Sequence, residues 1–184
     1  PFYRQKCLLS HFNLWFTLLK KILFSFLSCK EDPKPIIKKP QWSSAHSVSY
    51  QQEINEREQI KIALFLEQHP ELQMTKTETG LRYMIYKSNS NVNKALPGQK
   101  VKVALTIKLL DGSTCYTALE EPEVFTVDKS DIESGLNEAV KQMSAGDKAK
   151  LILPSHLALG LVGDQDKIPP LAILYIDVEL LEIK

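Results

Sequence analysis

From Val101 to Leu109 the chain alternates. Val101, Val103, Leu105, Ile107 and Leu109 share one parity, while Lys102, Thr106 and Lys108 take the other. A two-residue period places one set of side chains on each face of a strand, so this is a long strand with a buried face and a wetter one. Such a strand needs neighbours on both edges, which commits the chain to a sheet. Asp111-Gly112 follows at once, and Asp-Gly supplies the positive φ of a tight hairpin turn, so Thr114–Thr117 returns antiparallel.

The segments on either side extend this reading. Leu81, Tyr83 and Ile85 alternate with Arg82, Met84 and Tyr86 as an earlier strand, and Asn89–Pro97 is a polar loop. Val124–Val127 is a further short strand. Leu136, Ala139, Val140 and Met143 then recur at i, i+3, i+4 and i+7, the apolar face of a helix. Gly146-Asp147 turns into a strand at Lys148–Leu153, a loop runs from Pro154 to Pro170, and Ala172–Ile183 is a last long strand. Five to six strands around one helix make an α+β domain over residues 77–184, the helix covering one face of the sheet.

Ahead of that domain the composition changes twice. Residues 48–70 are rich in Gln, Glu, Lys and Leu, predicting a helical extension capped by Ser47 or Ser49 and stopped at His69-Pro70. It packs on the domain or on a second copy. Residues 29–47 hold Pro33, Pro35 and Pro40 among lysines, a semi-rigid spacer. Residues 1–28 carry Arg4, Lys6, Lys20 and Lys21 with no acid, and apolar runs at Leu8–Leu19 and Ile22–Leu27 end at Ser28-Cys29. A basic start, an apolar stretch and a small residue before a cut predict a secretory signal. Phe26-Leu27-Ser28-Cys29 resembles a bacterial lipobox, which implies lipid attachment at Cys29 and a place in the cell envelope, on the periplasmic side or at the surface of the outer membrane. A plain membrane anchor is the other reading, although Lys20-Lys21 divides the apolar run.

The charge balance bears on partners. Net charge is +1, but the basic first segment leaves the remainder with 19 basic and 22 acidic residues. No basic stripe interleaved with aromatics remains, which argues against a nucleic-acid partner. Of Cys7, Cys29 and Cys115, only Cys115 would stay a free thiol after signal removal and acylation. With no charge beside it in sequence to lower its pKa, it reads as an inert buried thiol. No Cys-x-x-Cys or His pair at ligand spacing supports a metal site, and no phosphate loop or dinucleotide fingerprint calls for a cofactor. Ser155-His156 reads as a turn rather than a nucleophile and its base, and Asp164-x-Asp166 as a solvated loop rather than a cation site.

Several marks then accumulate in the order of the elements. Thr77-Glu78-Thr79-Gly80-Leu81-Arg82-Tyr83 and Leu110-Asp111-Gly112 open the domain. Gly135 opens its helix, and Gln142-Met143-Ser144-Ala145-Gly146 with Ala149-Lys150-Leu151 follows. Ala158, Gly160 and Gly163 mark the loop, and Ile168-Pro169-Pro170 with Asp177-Val178-Glu179-Leu180-Leu181 the end. Over about 105 residues this resembles the FKBP-type peptidyl-prolyl cis-trans isomerases. Val127-Asp128-Lys129, Pro154-Ser155-His156 and Gly163-Asp164-x-Asp166-Lys167-Ile168 look, more narrowly, like the FKBP-type lipoproteins associated with gliding motility. The resemblance implies a curved antiparallel sheet around one helix, and proline-containing protein segments or envelope proteins as partners.

It also implies where a proline ring would sit. The cage-equivalent positions are Leu105, Cys115, Tyr116, Phe125 (with Glu123 nearby), Ile132, Glu133, Leu136, Leu159 and Ile176. The family's aromatic cage is largely replaced here by aliphatic side chains; its carboxylate position holds Tyr116 and its loop phenol position Leu159. No side chain is therefore assigned a catalytic role, and the Glu133 backbone N–H is what survives of the polar machinery. Two functions remain open from the sequence: an isomerase weakened by these exchanges, and a non-catalytic binding or scaffold module of an envelope machine.

Overall fold

The structure is a computed structural model that describes residues 43–89 and 93–184. The signal segment, Cys29 and the spacer up to Trp42 lie outside the described residues. Among those described, no helix is long and apolar enough to cross a membrane.

Among the described residues seven strands form one sheet: β1 (Thr75–Lys76), β2 (Arg82–Lys87), β3 (Lys100–Leu109), β4 (Thr114–Thr117), β5 (Glu123–Thr126), β6 (Lys148–Leu153) and β7 (Leu174–Ile183). All pairings are antiparallel, in the order β1-β2-β6-β7-β3-β4. The alternating strand β3 is central. One edge lies along β7 from Val101 to Leu109; the other is shared, β5 pairing with Lys100–Val103 and β4 with Thr106–Lys108. The count exceeds the expected five to six because Thr75–Lys76, too short to show a period, pairs with Tyr83 and Arg82.

The main core lies on one face, where Val101, Val103, Leu105 and Ile107 meet Leu151, Leu153, Leu174, Ile176, Val178 and Leu180. Helix α2 (Ser134–Val140) covers it with Leu136, Ala139 and Val140; Met143, just past the helix, is equally buried. Gly135 permits this approach, because a Cβ there would lie 2.6 Å from Cγ of Leu153. The curved α+β architecture agrees with the sequence expectation.

Helix α1 (Ser44–Gln68) packs on the domain, using the opposite face of the sheet. Ile62 meets Ile152 and Ile173, with Phe65, Leu66, Met74, Leu110 and Tyr175 around them. This explains the apolar run in β6: Leu151 and Leu153 face the main core, while Ile152 is buried under α1. The helix begins four residues before the expected Val48. Ser43 is its cap, accepting the His46 N–H at 3.5 Å, whereas Ser47 and Ser49 donate their hydroxyls to the carbonyls of Ser43 and His46 at 3.5 and 3.0 Å. A serine satisfied in that way sits inside a helix rather than at its start. Residues 44–47, expected in the spacer, therefore belong to the helix.

Candidate functional site

The link from β5 to α2 and the loop after β6 face each other across a groove of about 620 Å³ lined by Glu123, Asp131, Ile132, Glu133, Ala158, Leu159 and Gly160. Local hydrogen bonds shape the first wall. Ser130 Oγ accepts the Thr126 N–H at 2.8 Å, the Ile132 N–H reaches the Ser130 carbonyl at 3.0 Å, and Asn137 Oδ1 accepts the Asp128 N–H at 2.9 Å. Asp128 takes φ 58°, a left-handed conformation that Asp tolerates because its short side chain bonds locally; Lys141 meets that carboxylate at 3.0 Å. The second wall follows a short 3₁₀ turn at Ser155–Leu157, where Ala158 and Gly160 donate to the Ser155 carbonyl at 3.0 and 2.9 Å.

Three of the cage-equivalent residues, Ile132, Glu133 and Leu159, line the groove. Ile132 and Leu159 also pack against the main core, which holds Leu105, Cys115, Phe125, Leu136 and Ile176. Leu105 and Leu136 are 1% exposed and Ile176 is 0%, so these aliphatic side chains fill their space and leave no open cage among themselves. Phe125 points into the core from the position paired with Val101, and Glu123, two residues earlier, is the β5 residue on the groove. No acceptor among the described residues takes the Glu133 N–H.

The groove is acidic, with Glu123, Asp131 and Glu133 and no basic residue in its lining. Glu123, exposed overall, has its carboxyl pKa raised, first by partial loss of solvent and then by the negative charge of Glu133.

The sequence reading counted the family's carboxylate and loop phenol as lost. Leu159 lines the groove without a hydroxyl, and a phenol–carboxylate pair stands elsewhere, between Tyr116 and the loop residue Asp164, neither of which is part of the groove lining. Tyr116, on β4, donates its hydroxyl to Asp164 Oδ2 in the loop. Asp164 Oδ1 accepts the Asp166 and Ile168 N–H groups at 2.9 and 2.7 Å, and Lys167 Nζ lies 4.8 Å from the centre of the Tyr116 ring. Asp164 is thus clamped by protein donors, while the loop around it is solvated as expected, residues 165–167 being exposed. Among the described residues no group of three His, Cys, Asp or Glu is arranged to hold a metal ion. Cys115 is buried, as expected; burial raises its thiol pKa, with Asp164 second. Ser155 is buried and the His156 ring pairs with the Thr79 carbonyl at 2.9 Å, so neither presents a nucleophile.

The clamp sets its own pH window. The Tyr116 hydrogen bond holds Asp164 down at about 2, from 3.8, and the same bond pushes Tyr116 up to about 12, from 10.0. Asp164 favours the fold above its ordinary value and loses this effect as pH falls toward its folded value; Tyr116 favours it below 10.0 and loses it as pH rises through about 12. The difference in urea midpoint between the wild type and Asp164→Asn should be flat from about pH 4 to about pH 10 and shrink outside that window. A difference that changes between pH 5 and 9 would assign it to another group.

The fold and groove define an α+β domain of one curved antiparallel sheet with a groove formed between two of its loops. Known proteins narrow the class. The sequence profile of the FKBP-type peptidyl-prolyl cis-trans isomerases matches residues 92–181. The chain is 39% identical over 94 residues to peptidyl-prolyl cis-trans isomerase FPR2 of Saccharomyces cerevisiae, covering 50% of this chain and 70% of that protein. It is 29% identical over 160 residues to the macrophage infectivity potentiator of Trypanosoma cruzi, covering 86% and 78%. To the FKBP-type isomerase FkpA of Aeromonas hydrophila it is 37% identical over 108 residues, covering 59% of this chain and 40% of that one. The chain belongs to the FKBP-type peptidyl-prolyl cis-trans isomerase family, whose members act on proline-containing peptide segments.

Proposed function

We propose that the groove binds proline-containing segments of other proteins and isomerises their X-Pro bonds slowly. One observation carries this: Ile132 and Leu159 offer an apolar side chain on each wall, while Glu133, in the same lining, has an N–H with no acceptor among the described residues. The barrier to rotation is about 18–20 kcal/mol because the planar amide is resonance-stabilised. A twisted amide has lost that resonance and its charge separation, so an apolar wall favours it over the planar form, and a backbone N–H holds a neighbouring carbonyl. No nucleophile or general base is needed. The slowness follows from the lining, where the aliphatic Ile132 and Leu159 pack less well against a proline ring than a flat aromatic face does.

Cis–trans exchange of a proline peptide, followed by magnetisation transfer with the full chain, tests this. Exchange above the buffer rate that disappears in Ile132→Asp supports it, and the buffer rate throughout would end it. In that case a non-catalytic binding module becomes the reading, favoured by the closed packing of Leu105, Leu136 and Ile176.

The lining charge predicts a preference. With three carboxylates and no cation in the groove, peptides with Lys beside the proline should bind about three- to tenfold more tightly than those with Glu at low salt, the gap narrowing as salt is raised. Equal affinities at low salt would place the peptide elsewhere.

For the cellular address, the lipobox-like Phe26–Cys29 and the proline-lysine spacer support a lipid-anchored envelope protein, the role suggested by the narrower resemblance to gliding-motility lipoproteins. Mass spectrometry of the mature N-terminus from native cells decides it: an acylated Cys29 is expected, and an unmodified Cys29 inside an uncleaved chain would refute it.

A further inference from the structure

Glu58, in the middle of α1, is 4% exposed and far from both groove walls in sequence. Its Oε2 accepts the N–H of Ser155 at 3.0 Å, while its Oε1 has no partner among the described residues. Two more buried polar atoms, Asn55 Oδ1 on α1 and Arg82 Nη1 on β2, are also without a partner among the described residues; Arg82 Nη2 donates to Gln59 Oε1 at 2.9 Å. Burying an acceptor with half its capacity unmet opposes folding, and an apolar side chain of similar size would hold the helix at least as well. Helix docking alone therefore does not account for a glutamate here.

Its one hydrogen bond lands where the groove wall begins. Ser155 is 2% exposed and opens the 3₁₀ turn, whose leading N–H groups have no partner inside the turn. The carbonyl of the same residue accepts the N–H of Gly160 at 2.9 Å, and the Gly160 carbonyl accepts the N–H of Leu171 at 2.9 Å. Gly160 lines the groove beside Leu159. An unbroken chain of hydrogen bonds thus runs from α1 through Glu58, Ser155 and Gly160 to the far end of the loop.

We propose that Glu58 is a positioning residue for the groove: it carries the docked position of α1 into the Ala158–Gly160 wall, so the site is complete only while the helix is seated. This rests on the reading of the groove as a proline-segment site. The consequence is that anything displacing α1, a partner protein or a strain on the spacer before it, loosens the wall without touching the groove.

The full chain with Glu58→Leu, compared with Glu58→Gln, tests this. Glutamine keeps an acceptor for the Ser155 N–H; leucine removes it and also removes the unpartnered oxygen. For Glu58→Leu the expected result is faster amide exchange at Ser155 and Gly160, a dissociation constant for a proline peptide raised about tenfold, and a urea midpoint unchanged or higher. Glu58→Gln should stay close to the wild type in all three. A merely structural role would instead lower the midpoint together with binding. If Glu58→Leu does not fold, Ser155→Pro deletes the same donor from the other side and should give the same exchange at Gly160. Unchanged exchange at Gly160 in these variants overturns the proposal. If the wild type binds no proline peptide, the groove reading fails, and the exchange measurement still decides the link between Glu58 and the wall.

Discussion

Replacing Leu136 with alanine should lower the unfolding free energy by about 3 kcal/mol, within the range of 2–5 found for buried leucines. The reason is the site's inability to collapse. Leu136 sits in the first turn of a helix of seven residues, and its side chain is almost wholly enclosed in the core with Leu105 and Ile176. Those partners belong to the central strands β3 and β7, hydrogen-bonded on both edges, and cannot move inward to refill the space. Gly135 already brings α2 as close to Leu153 as backbone and side chain allow, so the helix cannot sink either. The urea midpoint should fall with an unchanged m-value. A loss under about 1 kcal/mol would mean that the helix side of the core is loosely packed, contrary to the burial seen.

Gly163→Ala should disable the groove while sparing most of the fold. Gly163 has φ 66°, a conformation that costs a residue with a Cβ roughly 1–2 kcal/mol. A Cβ there would also overlap the Ile168 carbonyl oxygen and come within 2.8 Å of Pro169 C, both backbone atoms without a rotamer to yield. The loop must therefore open where Asp164 N–H meets the Ile168 carbonyl at 3.1 Å, and the clamp from Tyr116 to Asp164 opens with it. The groove wall belongs to the same loop, so affinity for a proline peptide should drop by tenfold or more, the equivalent of about 1.4 kcal/mol. The sheet, whose pairings lie elsewhere, should keep its amide protection. Wild-type affinity in Gly163→Ala would mean that the loop past Gly160 has no part in holding the wall.

The parts of this architecture that were legible in the sequence rest on short-range periodicity. The alternation of Val101–Leu109 and the Asp111-Gly112 turn defined the central hairpin, and Leu136, Ala139, Val140 and Met143 defined the one helix on the core face. The start of α1 was misread because serine serves both as a cap and as a back-bonded interior residue, and only the hydrogen bonds distinguish Ser43 from Ser47. At the site, Ile132, Glu133 and Leu159 were found by resemblance, and all three line the groove. Glu123 and Phe125 share a parity along β5, yet the strand's end puts one on the groove and the other in the core, which alternation cannot tell apart. The Tyr116–Asp164 clamp and the Glu58–Ser155 bond span 48 and 97 residues of sequence, and no local pattern points from one partner to the other.

The most direct test of the proline site is a titration of the isotopically labelled full chain with a short Lys-Pro peptide, followed at the backbone amides. The account predicts that the largest shifts fall on Ile132, Glu133, Leu159 and Gly160, with Glu133 moving downfield as its unpaired N–H gains an acceptor. Shifts confined to another surface, or a Glu133 amide that does not move while the peptide binds, would contradict it.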